Sequence, residues 1–208
     1  MVVGRALLGI SALILVAAIV ALTGKAISAV TPGGSGGSAE LLVSPIPATA
    51  GGLPHFTGVA DRPANLPVIT PYLSRFQDLI GGPHTGYMHG LYGMPGQADP
   101  AVNGAAWVMY AGYNEPIASQ PAMVVRLMTA LAGSARAWTT PAGPAGGQAR
   151  CAHTVYGGTQ VAVCAWVTAR TLGTVMSPAR TTSGGELAAL MRQMRPDLAG
   201  LTRPAVFP

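Results

Sequence analysis

Hydrophobic positions fall along this chain in three regimes. From Ala6 to Gly24 they run without a charge between Arg5 and Lys25. From Lys25 to about Leu66 they lose any sustained period and give way to glycine, proline and serine. Beyond that they alternate, or recur at helical spacing, as a packed domain requires. The pattern divides the chain into a short lead (1–5), an apolar segment (6–24), a linker (25–66) and a folded domain (67–208).

The first regime predicts a helix that spans a membrane. Residues 6–24 would extend about 28 Å at 1.5 Å per residue, close to the ~30 Å of a hydrocarbon core. A buried core helix explains the segment less well, because linker composition follows it at once. Arg5 and the amino terminus precede it and Lys25 alone follows, so the bias favours a cytoplasmic N-terminus. Ala26-Ile-Ser28 and Ile27-Ser-Ala29 offer small residues for signal-peptide cleavage, which would make the protein secreted. The apolar run exceeds a usual signal-peptide core, and this favours a retained signal-anchor. No cysteine lies nearby, which excludes a lipoprotein anchor.

Thr31-Pro-Gly-Gly-Ser-Gly-Gly-Ser38 has the composition of a flexible linker. Glu40 to Leu66 reads as an extended tether that can dock in places. Order is expected near Thr70, an N-cap candidate before Pro71. Leu73, Phe76, Leu79 and Ile80 then recur at helical spacing, predicting a helix over 71–80 that ends at Gly81-Gly82. Residues 82–96 are rich in turn formers and read as a loop. Ala105 to Tyr113 predicts a strand buried on both faces. Val124, Leu127, Met128 and Leu131 predict a helix over 121–132, with Gly133 as its C′ residue. A short strand fits 135–140 and a further one 171–176. Ser183-Gly-Gly-Glu186 has capping-box spacing, and Leu187, Leu190, Met191 and Met194 supply the last helix. Arg192 and Arg195 suit its C-terminal dipole, and Pro196 is expected to stop it.

The two cysteines stand at mirror positions about Gly157-Gly158. A Gly-Gly pair between β-formers signals a two-residue hairpin, since both glycines accept the positive φ of a primed turn. Pairing outward puts Tyr156 opposite Thr159, Val155 opposite Gln160 and Cys151 opposite Cys164. The cysteines then occupy a non-hydrogen-bonded pair, where Cα atoms approach to about 4.5 Å, within the disulfide range. A hairpin over 149–156 and 159–167, closed by that bridge, is the expectation. Two reduced thiols in a cytosolic strand pair are the alternative. Cysteines at disulfide spacing suit an oxidising compartment better.

The element order suggests an α+β domain: a two-layer sandwich of a mainly antiparallel sheet with helices on one face. Charge adds little. Lys+Arg 12 against Asp+Glu 7 gives +5, but charged residues are only 9% of the chain and form no run. A nucleic-acid partner is therefore not expected.

Cys164-Ala-Trp166, then a strand, a Ser/Thr-rich turn and the helix Glu186–Arg195 followed by Pro196, resembles a recurring actinobacterial type. Its members are single-span, membrane-anchored extracytoplasmic proteins of unknown function with a Cys…Cys-x-Trp hairpin domain. The likeness covers about residues 105–198. Where that pattern often continues Trp-Ala-Asp, this chain has Trp166-Val167-Thr168. The resemblance implies topology and placement, and it carries over no catalytic residue.

Candidate chemistry is sparse. His84 and His89, with Met88 and Met94, could offer imidazole and thioether to copper, but His84-x4-His89 is not a recognised ligand spacing, so no metal is expected. There is no Gly-x-Ser-x-Gly elbow and no close pair of acids. His153 is expected to be a partly buried strand histidine. Redox-active cysteines usually lie close together near a helix N-terminus, whereas Cys151 and Cys164 lie in mid-strand. Trp107 and Tyr110 are expected in the core. His84, Tyr87, His89 and Tyr92 remain as a candidate ligand or partner surface. The expected function is binding of a protein or envelope ligand, without evident catalysis or cofactor. The alternative is an enzyme whose site is built from the 82–96 loop.

Overall fold

The computed structural model describes residues 45–56, 67–82, 86–93, 107–178 and 182–199. The expected lead 1–5, the apolar segment 6–24, the linker up to Ser44 and His84 all lie outside the described residues. Within them, β1 (Thr49–Ala50) and β2 (Leu53–Pro54) precede α1 (Ile69–Ile80), β3 (Tyr87–Gly93), β4 (Trp107–Asn114) and α2 (Gln120–Ala132). Next come β5 (Trp138–Thr140), β6 (Gln148–Tyr156), β7 (Thr159–Val167), β8 (Thr171–Pro178) and α3 (Gly184–Leu198).

The hairpin sets the centre of the sheet. Gly157 and Gly158 take φ of 53° and 78°, the positive values a primed turn needs. From that turn the register runs Tyr156–Thr159, Val155–Gln160 and on to Cys151–Cys164, as the glycine pair implied. The cysteines are bridged, with Cα atoms 4.1 Å apart. A slip of one residue would move every side chain of β6 to the opposite face, so the bridge and the turn enforce the same register. Outward from the hairpin, six strands pair antiparallel in the order β3-β4-β8-β7-β6-β5.

Helices cover both faces of this sheet, not one as the element order had suggested. Ile69, Tyr72 and Phe76 of α1 and Val124, Leu127 and Leu131 of α2 pack with Met109, Val163 and Met176. Leu187, Met191 and Met194 of α3 pack against the opposite face, with Cys164, Trp166 and Val175. The cause lies in the central strands. Residues 161–167 of β7 and 171–177 of β8 are all buried, so neither face of the sheet can be left to solvent.

Packing corrects two local expectations and fills in a third, the docking of the tether. The 82–96 stretch contains the seven-residue strand β3. Its glycines are sites of close approach: a Cβ at Gly93 would lie 2.1 Å from the Phe56 ring, and one at Gly90 would lie 3.0 Å from His55. The tether contributes structure as well. His55 bridges to Tyr92 and the Phe56 N–H donates to the Leu91 carbonyl at 2.8 Å, so residues 45–56 form a strap along β3. The strap turns at Gly51, whose N–H donates to the Asp197 carboxylate at 2.7 Å. Finally, α3 runs through Pro196 to Leu198. Burial of Leu198 and the Asp197–Gly51 bond hold a turn that the proline ring alone would break.

The helix ends differ in how they are capped. Ser183 and Glu186 form the reciprocal capping box that their spacing implied. Thr70 is not an N-cap, because α1 already starts at Ile69 after Val68. Pro71 still falls in the first turn, where its missing N–H leaves no helical bond unmade.

Candidate functional site

The aromatic and histidine positions of β3 separate by strand alternation. Tyr92 is fully buried on the α3 side, and its hydroxyl donates to the Pro47 carbonyl at 3.2 Å. Tyr87 and His89 point to the other side and stack with ring centroids 5.2 Å apart, both half-buried. Burial pushes the Tyr87 phenol far above its ordinary value. Tyr92 therefore belongs to the core and cannot share a surface with Tyr87 and His89. Trp107 and Tyr110 lie in the core as expected. His153 is exposed, not partly buried, with its ring 5.3 Å from Trp138. β5 pairs with β6 only as far as Cys151, so His153 projects beyond the end of its cover.

The disulfide lies inside the protein. Cys151 and Cys164 are both fully buried, beneath the N-terminal turn of α3, and the bond braces the sheet out of solvent's reach. Beside it, Trp166 lies across Gly173, where a Cβ would sit 2.0 Å from the indole. Tyr110 stacks parallel to Trp166 at 6.2 Å, and the Arg195 guanidinium sits 5.5 Å from the indole centroid. Arg195 falls in the last turn of α3, as expected, and is only 1% exposed. It donates to the carbonyls of Ala142 and Gly146, fastening the 141–147 loop to α3.

The opposite face has a similar clamp. The Leu131 carbonyl, near the end of α2, accepts from the Tyr156 hydroxyl and from Arg75 at 3.3 Å. Arg75 also lies 5.0 Å above the Tyr156 ring. One helix-end carbonyl thus joins α1, α2 and β6, satisfying an acceptor that α2 itself leaves open.

A surface groove of about 390 Å3 opens between the end of α1 and the start of α2. Leu79, Ile80, Ile117 and Met123 line it with apolar side chains, and Glu115 and Arg126 also line it. The chain leaves β4 as an extended segment that builds one wall, with the Glu115 N–H donating to Arg170 and the Ile117 N–H to Ala169. The N-cap residue Ser119 and Ala122, Met123 and Arg126 of α2 build the other wall. These four recur at i, i+3, i+4 and i+7, one helix face. The buried stripe of Val124, Leu127, Met128 and Leu131 lies on another face. The signal for the groove was therefore present, but it was weaker than the core stripe and interrupted by polar residues.

Among the described residues, no group of three or more His, Cys, Asp or Glu could hold a metal. Among the same residues, no helix is long and apolar enough to cross a membrane. Set against family models, curated proteins and solved structures, the chain matches none.

Proposed function

We propose that this chain is an extracytoplasmic binding domain held at the cell membrane by residues 6–24, with the groove between α1 and α2 as its contact surface for a protein or envelope ligand. The observation that carries this reading is the buried Cys151–Cys164 bridge between β6 and β7. Such bridges form and persist in oxidising compartments. The charge-free segment 6–24 and the likeness to single-span actinobacterial proteins point to the same address. The groove supports binding through its chemistry, apolar side chains with a few polar groups among them.

The test uses the protein in its own cells. Denatured extracts are treated with a polymer-linked maleimide with and without reductant, and membrane fractions are read for the N-terminal mass. The expected result is a gel shift only after reduction, together with an intact N-terminus in the membrane fraction. Thiols that react without reductant would sink the extracytoplasmic address, and a mature terminus near Ala29 would make the protein secreted instead.

A further inference from the structure

We propose that the first turn of α3 is a lid over the Cys151–Cys164 bridge, and that a dithiol reduces the bridge of the folded protein only while that turn is lifted. The bridge sits in a row of paired residues across the sheet: Trp138 opposite Cys151, Cys151 opposite Cys164, and Cys164 opposite Val175. Directly paired residues share a face, so Trp138 and Val175 flank the sulfurs within the row. α3 lies over them. Its Gly184 carbonyl is 4.0 Å from the Cys164 sulfur, and Leu187 and Ala188 are buried in the same cluster. The fit is close, since a Cβ at Gly184 would lie 2.5 Å from the Trp138 indole. Both cysteines are fully buried beneath this cover.

The two ends of α3 are held unequally. Toward its C-terminus, Arg195 donates to the 141–147 loop, Asp197 accepts from Gly51, and Met191, Met194 and Leu198 are buried. Its first turn begins with Gly184-Gly185, the residue type least suited to a helix after proline. That turn is capped by Ser183 and Glu186, both exposed to solvent. Weak propensity and solvent-exposed bonds put it at the low end of local stability. Lifting it uncovers the sulfurs while the sheet and the far end of α3 stay in place. A thiolate of the dithiol then attacks one sulfur, the S–S bond breaks, and the second dithiol sulfur resolves the mixed disulfide. Two electrons and two protons pass to the cysteines, and the dithiol leaves as its own disulfide.

The test gives the purified, oxidised full chain excess dithiothreitol in mild detergent without denaturant, and traps free thiols at intervals with a polymer-linked maleimide. Ser183→Ala removes the cap without touching the bridge and should speed reduction about fivefold. Gly185→Ala, whose added Cβ meets nothing within 4 Å, should slow it about threefold. Tyr156→Phe weakens the opposite face of the sheet by a comparable amount and should leave the rate unchanged. The proposal is overturned if Tyr156→Phe speeds reduction as much as Ser183→Ala does, because reduction would then follow unfolding of the whole domain. It is equally overturned if neither α3 variant changes the rate. Both outcomes are read on purified protein, so neither bears on the membrane address or on the groove.

Discussion

The two faces of the central sheet are filled in different ways. Under α1 and α2 the strands present Met109, Val161, Val163, Val167, Leu172 and Met176, which are long enough to meet helical side chains directly. On the α3 side the same sheet presents Ala149, Ala162, Cys151, Cys164 and, in β8, the bare backbone of Gly173. Larger groups fill that space: Trp166 across Gly173, Arg195 over the indole, and Leu53 from the strap. The first face includes a set of aliphatic residues of similar size, which can be exchanged for one another at modest cost. The second depends on single large groups fitted to single sockets, and close packing makes such sockets intolerant.

The strongest way to break that contrast is to remove the bridge. Replacing Cys151 and Cys164 together by Ala should cost about 2–5 kcal/mol, read from urea unfolding. A loss well under that range would show that the α3 face holds without its crosslink. Next comes Gly173→Ala, whose methyl group would collide with the Trp166 indole; about 1–3 kcal/mol should be lost. On the helix-pair face, Met176→Leu conserves volume and should cost less than about 1.5 kcal/mol. Equal losses for these two substitutions would erase the difference between the faces.

Smaller effects sharpen the comparison. Tyr156→Phe removes one of two donors to the Leu131 carbonyl and should cost about 1 kcal/mol, because Arg75 still donates. Stability against pH gives a gentler probe of the same face. Burial raises the Tyr72 and Tyr156 phenols above the ordinary value of 10.0. Their folded forms hold the proton more tightly than the unfolded chain does. That contribution is complete below about pH 10 and is lost as pH rises through the folded values. Melting temperatures should therefore stay level to about pH 10 and fall beyond it, less steeply in Tyr156→Phe. Glu186 has the opposite sign. Hydrogen bonds from the Ser183 backbone, then its side chain, lower its carboxyl from 4.5, so its small contribution fades as pH falls below that value.

How legible each part was depends on how far apart in sequence its causes lie. The hairpin register came from Gly157-Gly158, because a two-residue turn fixes every pair that follows it. The buried stripe of α2 came from spacing within one helix. β3 was not legible, because Gly90 and Gly93 signal a loop until Ile46, His55 and Phe56 arrive from the strap to fill the space above them. The groove combined a polar-interrupted face of α2 with Leu79 and Ile80 of α1, and nothing in either segment names the other.

The sequence by itself determined the antiparallel hairpin, its bridge, the helices α1 to α3 of the described residues and the capping box that starts α3. Each of these rests on neighbours a few residues apart or on a turn that leaves one pairing open. Only the tertiary structure decided that helices cover both faces, that the strap completes the edge at β3, that α3 continues past Pro196 and that Arg195 is buried. In each of these, contacts between distant segments outweigh a local preference worth a few kcal/mol at most.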